Sequence, residues 1–438
     1  MENNRTGMHQ SAFNQFAYDE AAGRWLLYNF MTDCLTALGT EEKEKLETDL
    51  FFQFPKERIQ RLAELGILAD RDEVAVLRER TKKAAMQMHS PFLTLTICPT
   101  MDCNFSCPYC IETSQKSKGV MTEDTERLVA EFVRQLLKDC GAKFLNIVWY
   151  GGEPLLSIPN IERLSRSFLR ICHDQQCFYT AGVITNGYLL TTAAALRLSR
   201  CCVRYYRITL DGAAEVHDKS RMLKGGAPTF DTIMKNLRSL WTDSTIEIRC
   251  NVSRANLASV DELEKEIAAL RQETGNRIVL HYARTMVCRE VPEELRSAAL
   301  TEEEFSAFAA QRDDMKALTP DAENGLPCAA CKTSSFVIDP QGNLFKCNAF
   351  LGQKEHILAN VSELPTLERL MKKADSVFFQ KNAFPENEKC LSCKMLPVCL
   401  GSCPLDDETT TPKRCQRYRL CPEEYVRKLA QLRSPEPI

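Results

Sequence analysis

Thirteen residues, CPTMDCNFSCPYC at 98–110, hold four cysteines. Three of them, Cys103, Cys107 and Cys110, have the spacing C-x3-C-x2-C. Thiolates are soft ligands that suit iron–sulfur clusters or zinc. A structural zinc site closes with four ligands, and no histidine lies near enough in sequence to be an obvious fourth. Three thiolates on one loop can hold three irons of a 4Fe–4S cube and leave the fourth iron open to a substrate or cofactor. A zinc site and three unrelated buried cysteines are the competing readings. Tyr109 sets an aromatic ring beside the last of the three thiols. Cys98 reads as core packing, since a free cysteine behaves as a small buried hydrophobe.

A second cysteine array lies near the C-terminus. Cys328 and Cys331 form C-x2-C, and Gly342 to Cys347 gives G-x4-C. Cys390, Cys393, Cys399 and Cys403 follow as C-x2-C-x5-C-x3-C, with Cys421 after seventeen more residues. Four cysteines in that spacing point to metal, with zinc as the alternative to iron–sulfur. Whether Cys328 ligates beside Cys331 stays open, and Cys415 competes with Cys421 as the last thiol.

Between the arrays, polar residues stand where strands should end. WYGGEP carries Gly151, Gly152 and Glu153; the glycines permit close backbone approach, and the carboxylate can receive an ammonium. ITNG carries Asn186, ITLDG carries Thr209, and EVHDKSR ends on Arg221. An arginine fork binds carboxylates bidentately. Ordinary strand-end polar residues and a surface arginine are the bland readings. Asn251 in RCNVSR is a weaker candidate.

These residues need a scaffold. The chain has 438 residues, enough for two or three domains. Its net charge of −3 gives no reason to expect a nucleic-acid or anionic-membrane partner. No apolar run approaches membrane-helix length, and the polar start MENNRTGMHQ lacks a signal-peptide pattern. The chain therefore reads as cytoplasmic, where 21 cysteines point to metal rather than disulfides. From 91 to 284, six strand patterns (FLTLTICP, FLNIVWYGG, YTAGVITNG, YYRITLDG, TIEIRCNV, RIVLHYAR) alternate with helical stretches. This is the α/β pattern of a parallel sheet curled toward a barrel, whose strand C-termini carry the chemistry. Residues 1–90 read as a small α+β module. They hold a hairpin over AFNQFAYDEAAGRWLLYNFM, a helix spaced on Ile59, Leu62, Leu65 and Leu68, and a charged connecting helix over 71–88. The module is either a peptide-binding or winged-helix-like unit or a structural cap. Residues 285–327 read as a helical bridge, 328–438 as a Cys-rich domain, and the tail RSPEPI as frayed.

Taken together, C-x3-C-x2-C after a first strand, GGE after a second and the C-terminal array resemble the radical S-adenosylmethionine (SAM) enzymes with a C-terminal SPASM domain. The resemblance implies a partial (β/α)6 TIM-like barrel. It implies that SAM chelates the open iron and yields a 5′-deoxyadenosyl radical that abstracts a hydrogen atom. SAM contacts would come from Tyr109, Gly151, Gly152, Glu153, Asn186, Thr209 and Arg221. Two auxiliary 4Fe–4S clusters are implied, one on Cys328, Cys331, Cys347 and Cys403, the other on Cys390, Cys393, Cys399 and Cys421. An electron donor such as flavodoxin or ferredoxin is implied as well. The family branch offers maturation of ribosomally made precursor peptides, or formation of formylglycine in sulfatases. Sulfatase-maturating relatives usually begin close to the first cluster and carry aspartate after the G-x4-C cysteine as proposed proton acceptor. Here about 90 residues precede the cluster and the position is Asn348, whose amide is no general base. Both point to a peptide maturase forming a cysteine-derived thioether, with carbon–carbon crosslinking or epimerisation as other peptide outcomes. A non-catalytic zinc-rich binding protein is the reading from a different class. No general base is named by the sequence.

Overall fold

Apolar runs either side of the DEAAG turn make the first hairpin. Strand β1 (Asn14–Asp19) pairs antiparallel with β2 (Arg24–Asn29), from Asn14 opposite Asn29 to Asp19 opposite Arg24. Strand β3 (Cys34–Leu38) adds to the other edge of β2. Helices α1 (Thr40–Glu47), α2 (Lys56–Glu64) and α3 (Glu73–Met86) follow. The computed structural model describes residues 7–110, 119–240, 243–285, 297–312, 325–406, 415 and 418–436.

Helix α2 is shorter than its apolar spacing suggests. Gly66 adopts φ +73°, and the Ile67 N–H closes onto the Leu62 carbonyl at 2.9 Å. This glycine cap ends the helix, so Leu68 leaves it and pairs in a two-residue strand with Gln10.

The chain divides into two units. The first gathers Met1–Met86, Thr301–Cys331 and Gln380–Ile438. Its buried core joins Leu26, Tyr28 and Leu35 of the hairpin sheet to Met395, Tyr418 and Tyr425. The tail is not wholly frayed. The Glu436 N–H donates to the Leu35 carbonyl at 2.7 Å, and Thr36 Oγ1 donates to the Glu436 carbonyl at 2.8 Å. Unpaired groups on the β3 edge supply that attraction. Of the bridge, helix Glu302–Ala310 is described, with Thr301 and Glu304 forming a capping box; residues 286–296, Cys288 included, and 313–324 lie outside the described residues.

The second unit is Gln87–Leu300 with Lys332–Phe379. It contains the six expected strands: β4 (Phe92–Thr100), β5 (Phe144–Gly151), β6 (Phe178–Thr185), β7 (Val203–Thr209), β8 (Thr245–Val252) and β9 (Ile278–Arg284). All five adjacent pairs are parallel, in simple sequential order. Parallel neighbours require crossovers. Helices α4 (Glu123–Cys140), α5 (Ile158–Gln175), α6 (Thr192–Arg200), α7 (Ala214–Ser220), α8 (Phe230–Ser239) and α9 (Val260–Thr274) supply them. Apolar side chains on alternate strand positions, such as Leu93, Leu95 and Ile97, are fully buried. Beyond β4 the sheet continues through β10 (Ser335–Ile338), parallel to β4, then antiparallel β11 (Asn343–Phe345) and β12 (Ala359–Asn360). Residues 332–379 thus extend the barrel sheet, although composition groups them with the later cysteines. Cys34, Cys98, Cys140, Cys172, Cys201 and Cys250 are buried, as small hydrophobes should be. Among the described residues no helix is long and apolar enough to cross a membrane.

Candidate active site

The site forms where strands β4 to β8 end. The cysteine loop leaves β4 at Thr100, and the segment after β5 is stitched to it. Gly152 N–H donates to the Thr100 carbonyl at 3.2 Å, and Glu153 N–H donates to the Asp102 carbonyl at 2.8 Å. Only glycine permits this approach. A Cβ on Gly151, at φ +115°, would stand 2.1 Å from the Thr100 oxygen. One on Gly152 would stand 2.4 Å from the Met101 and Asp102 oxygens.

Glu153 is fully buried. Its carboxylate accepts from Leu155 N at 3.0 Å, Thr185 Oγ1 at 2.7 Å and Asn186 N at 2.7 Å. Burial raises its pKa, against the lowering pull of those donors. About four acceptor positions exist on a carboxylate, so roughly one is left for a further donor. Asn186 continues the connection: its Nδ2 donates to Asn104 Oδ1 at 2.8 Å, inside the cysteine loop.

Tyr109 and Arg221 meet. Arg221 Nη1 donates to the Tyr109 hydroxyl at 2.7 Å, and that hydroxyl donates to Asp211. Burial pushes the Tyr109 pKa well above the ordinary phenol value. Burial also lowers the Arg221 pKa, but Tyr109, Cys107 and Asp211 outweigh it and hold the guanidinium charged. Arg221 Nε is buried and has no hydrogen-bond partner among the described residues. Leaving a buried donor unmade is costly, and a carboxylate is the acceptor an arginine fork fits best. The amino acid portion of SAM carries both a carboxylate for Arg221 and an ammonium for Glu153, so these residues fit it.

His217 and Asp218 hold this arrangement. The Asp211 N–H donates to His217 Nδ1 at 3.2 Å, and His217 Nε2 lies 3.2 Å from Thr229 Oγ1. Thr229 Oγ1 donates in turn to the Arg221 carbonyl at 2.7 Å. Asp218 Oδ1 accepts from Thr229 N and Phe230 N at 2.7 and 2.9 Å.

The three loop thiols are half-buried. Burial raises the pKa of Cys103, and that of Cys107 to about 11. Among the described residues no three Cys, His, Asp or Glu side chains gather as they would around a single ion. Thr209 ends β7 half-buried, on the same strand face as Arg207.

In the first unit, one cavity is lined by Cys390, Cys393, Cys399 and Cys415, together with Lys389 and Arg419. Cys421 is not among its walls; it packs beside the apolar core around Tyr425. Cys328 and Cys331 present their sulfurs 3.8 Å apart. Cys403 belongs to this unit as well, and Cys347 to the second. In the second unit Cys347 Sγ lies 3.6 Å from Asn348 Oδ1. The next turn packs Phe350 and Leu351 against Cys98, Met101 and Tyr150, beside the end of β4.

Sequence reasoning missed Asp211, Asn104 and Thr185. Asp211 lay within the quoted ITLDG, and an acidic residue directly after a barrel strand was the available signal. Asn104 gave none beyond its place between ligands. Asn251, the weaker candidate, donates to Asp211 Oδ1 through its N–H at 3.0 Å and Nδ2 at 3.1 Å.

Residues 97–248 match the radical SAM superfamily. Over 128 residues the chain is 31% identical to GTP 3′,8-cyclase of Synechococcus sp. (strain WH7803), covering 28% of this chain and 35% of that one. The chain thus spans about a third of that enzyme's length. Over 368 residues it is 24% identical to the serine-type anaerobic sulfatase-maturating enzyme of Klebsiella aerogenes, covering 76% of this chain and 84% of that one. The solved structure of native anSMEcpe with bound AdoMet and a peptide superposes with a TM-score of 0.61 at 18% identity, covering 78% of this chain and 98% of that chain. That likeness is one of fold.

Proposed function

We propose that this chain, whose residues 97–248 match the radical SAM superfamily, is a peptide maturase forming a cysteine-derived thioether in a ribosomally made precursor. Cys103, Cys107 and Cys110 would hold the SAM-binding 4Fe–4S cluster. Bound there, the cluster and SAM supply the radical that removes a hydrogen atom from the substrate. The chain's own residues orient and shield that chemistry. Arg221 takes the SAM carboxylate and Glu153 the ammonium, with Gly151 and Gly152 giving backbone room and Tyr109, Asn186 and Thr209 lining the same strand ends. Two auxiliary clusters would take up the electron released. Cys328, Cys331, Cys347 and Cys403 would serve one, and Cys390, Cys393 and Cys399 the other, completed by Cys421 or Cys415. A flavodoxin or ferredoxin would reduce the system. The N-terminal sheet and helices would grip the precursor ahead of the reacting segment.

The observation that carries the thioether choice is Asn348. It follows Cys347 on a turn packed beside the end of β4. An amide there can orient a substrate by hydrogen bonds but cannot take a proton. Formylglycine formation is the second reading. It is favoured by the alignment with the Klebsiella aerogenes enzyme, which spans 84% of that protein.

The test incubates the anaerobically reconstituted protein with SAM, a reductant and a cysteine-bearing precursor peptide. Thioether formation removes two hydrogens and keeps the sulfur. Formylglycine formation from cysteine loses the sulfur and would transfer the assignment to sulfatase maturation. Formation of 5′-deoxyadenosine with unchanged peptide mass would point to epimerisation.

A further inference from the structure

We propose that Asp211 is a positioning residue of the cofactor site, acting through the Tyr109 hydroxyl on Arg221. This rests on the radical SAM domain and is independent of which peptide or protein is modified. Asp211 lies just beyond β7 and is buried. Its Oδ1 accepts two hydrogen bonds from Asn251, at 3.0 and 3.1 Å. Its Oδ2 accepts the Tyr109 hydroxyl proton. A phenol has one hydrogen. Having given it to Asp211, Tyr109 can only accept from Arg221, which it does from Nη1 at 2.7 Å. The direction of the chain is thereby fixed from Arg221 to Tyr109 to Asp211.

This places a neutral hydroxyl between a carboxylate and a guanidinium. A direct fork between Asp211 and Arg221 would occupy two N–H groups and neutralise the charge. The phenol takes one N–H and leaves buried Nε without a partner among the described residues, available to an incoming carboxylate. The Phe105 ring, 5.8 Å from the guanidinium, bounds it on another side. Tyr109 also lies between Cys107 and Cys110 in the chain. The same hydroxyl therefore ties the cysteine loop to the end of β7, so loop and arginine are set together. Asparagine cannot keep this chain: with its amide oxygen toward Asn251, the amide nitrogen would donate to the Tyr109 hydroxyl and reverse that link.

The test measures the SAM dissociation constant by equilibrium binding, and iron per chain, on the anaerobically reconstituted full-length protein. Asp211→Asn and Tyr109→Phe should each weaken SAM binding about tenfold, the worth of one hydrogen bond to a charged group. Iron content should stay at the wild-type level. The double variant should bind no worse than the weaker single, since both break one chain. Wild-type SAM affinity in Tyr109→Phe, or losses that multiply in the double variant, would overturn the proposal. So would iron loss that accounts for the weaker binding. If Asp211→Asn fails to fold, Tyr109→Phe decides alone, because it removes a single oxygen and keeps the ring.

Discussion

Glu153 Oε2 accepts the backbone N–H of Asn186 at 2.7 Å, which locks the end of β5 to the end of β6 through one carboxylate. The other oxygen is shared by Leu155 N and Thr185 Oγ1. Glu153→Gln would turn an amide nitrogen toward one of these donors. The unmade buried bond should lower stability by about 2 kcal/mol, seen as a lower chemical-denaturation midpoint. SAM affinity should fall as well, because the ammonium loses its counter-charge. Unchanged stability and affinity would mean that Glu153 is not held as described.

Gly151 is the second place where a single atom decides. Gly151→Ala puts a methyl 2.1 Å from the Thr100 carbonyl at a φ of +115°. Strain and overpacking together should cost on the order of 3 kcal/mol. The displaced strand end carries the cysteine loop, so iron incorporation should fall with it. Iron analysis beside a thermal melt checks both effects.

How much of this was legible beforehand divides by mechanism. The six strands, their order and the role of Gly151 and Gly152 follow from short-range patterns: apolar alternation, intervening helices and residue size. Glu153 was visible because a charged residue at a strand end needs a reason, and Arg221, just after α7, through the family resemblance of EVHDKSR. Asp211 was not, since its partners Tyr109 and Asn251 lie 102 and 40 positions away and only the folded sheet brings them together. The shortened α2 escaped the apolar spacing because one left-handed glycine overrode it. The division of residues 328–438 escaped composition because strand pairing, not cysteine content, draws β10 onto β4.

His217 gives a pH dependence. Burial, followed by the charge of Arg221, lowers its pKa from 6.5 to about 3. The native state therefore keeps it neutral while the unfolded chain protonates it near pH 6.5. The unfolded state binds more protons between those values, so stability is full above pH 6.5 and is lost as pH falls toward 3. The slope is about 1.4 kcal/mol per pH unit from this group. Denaturant unfolding across that window should show a shallower slope in His217→Gln. An identical slope would place the titration elsewhere.

The last auxiliary thiol is decided by iron counting. Family spacing favours Cys421, whereas the cavity holding Cys390, Cys393 and Cys399 is walled by Cys415. Anaerobically reconstituted Cys415→Ala and Cys421→Ala should differ, with the true ligand's variant losing most of one cluster's iron. Equal, full iron in both would remove this cavity from the cluster sites.

The central claim is that radical chemistry begins at Cys103, Cys107 and Cys110. Its most direct measurement is 5′-deoxyadenosine formed from SAM by the reduced protein, compared with a Cys103→Ala, Cys107→Ala, Cys110→Ala variant that keeps the C-terminal cysteines. The wild type should be brown, give an electron paramagnetic resonance signal that shifts on adding SAM, and form 5′-deoxyadenosine. The variant should retain the auxiliary iron and form none. A colourless, zinc-loaded wild type prepared without oxygen, or undiminished 5′-deoxyadenosine in the variant, would contradict the account.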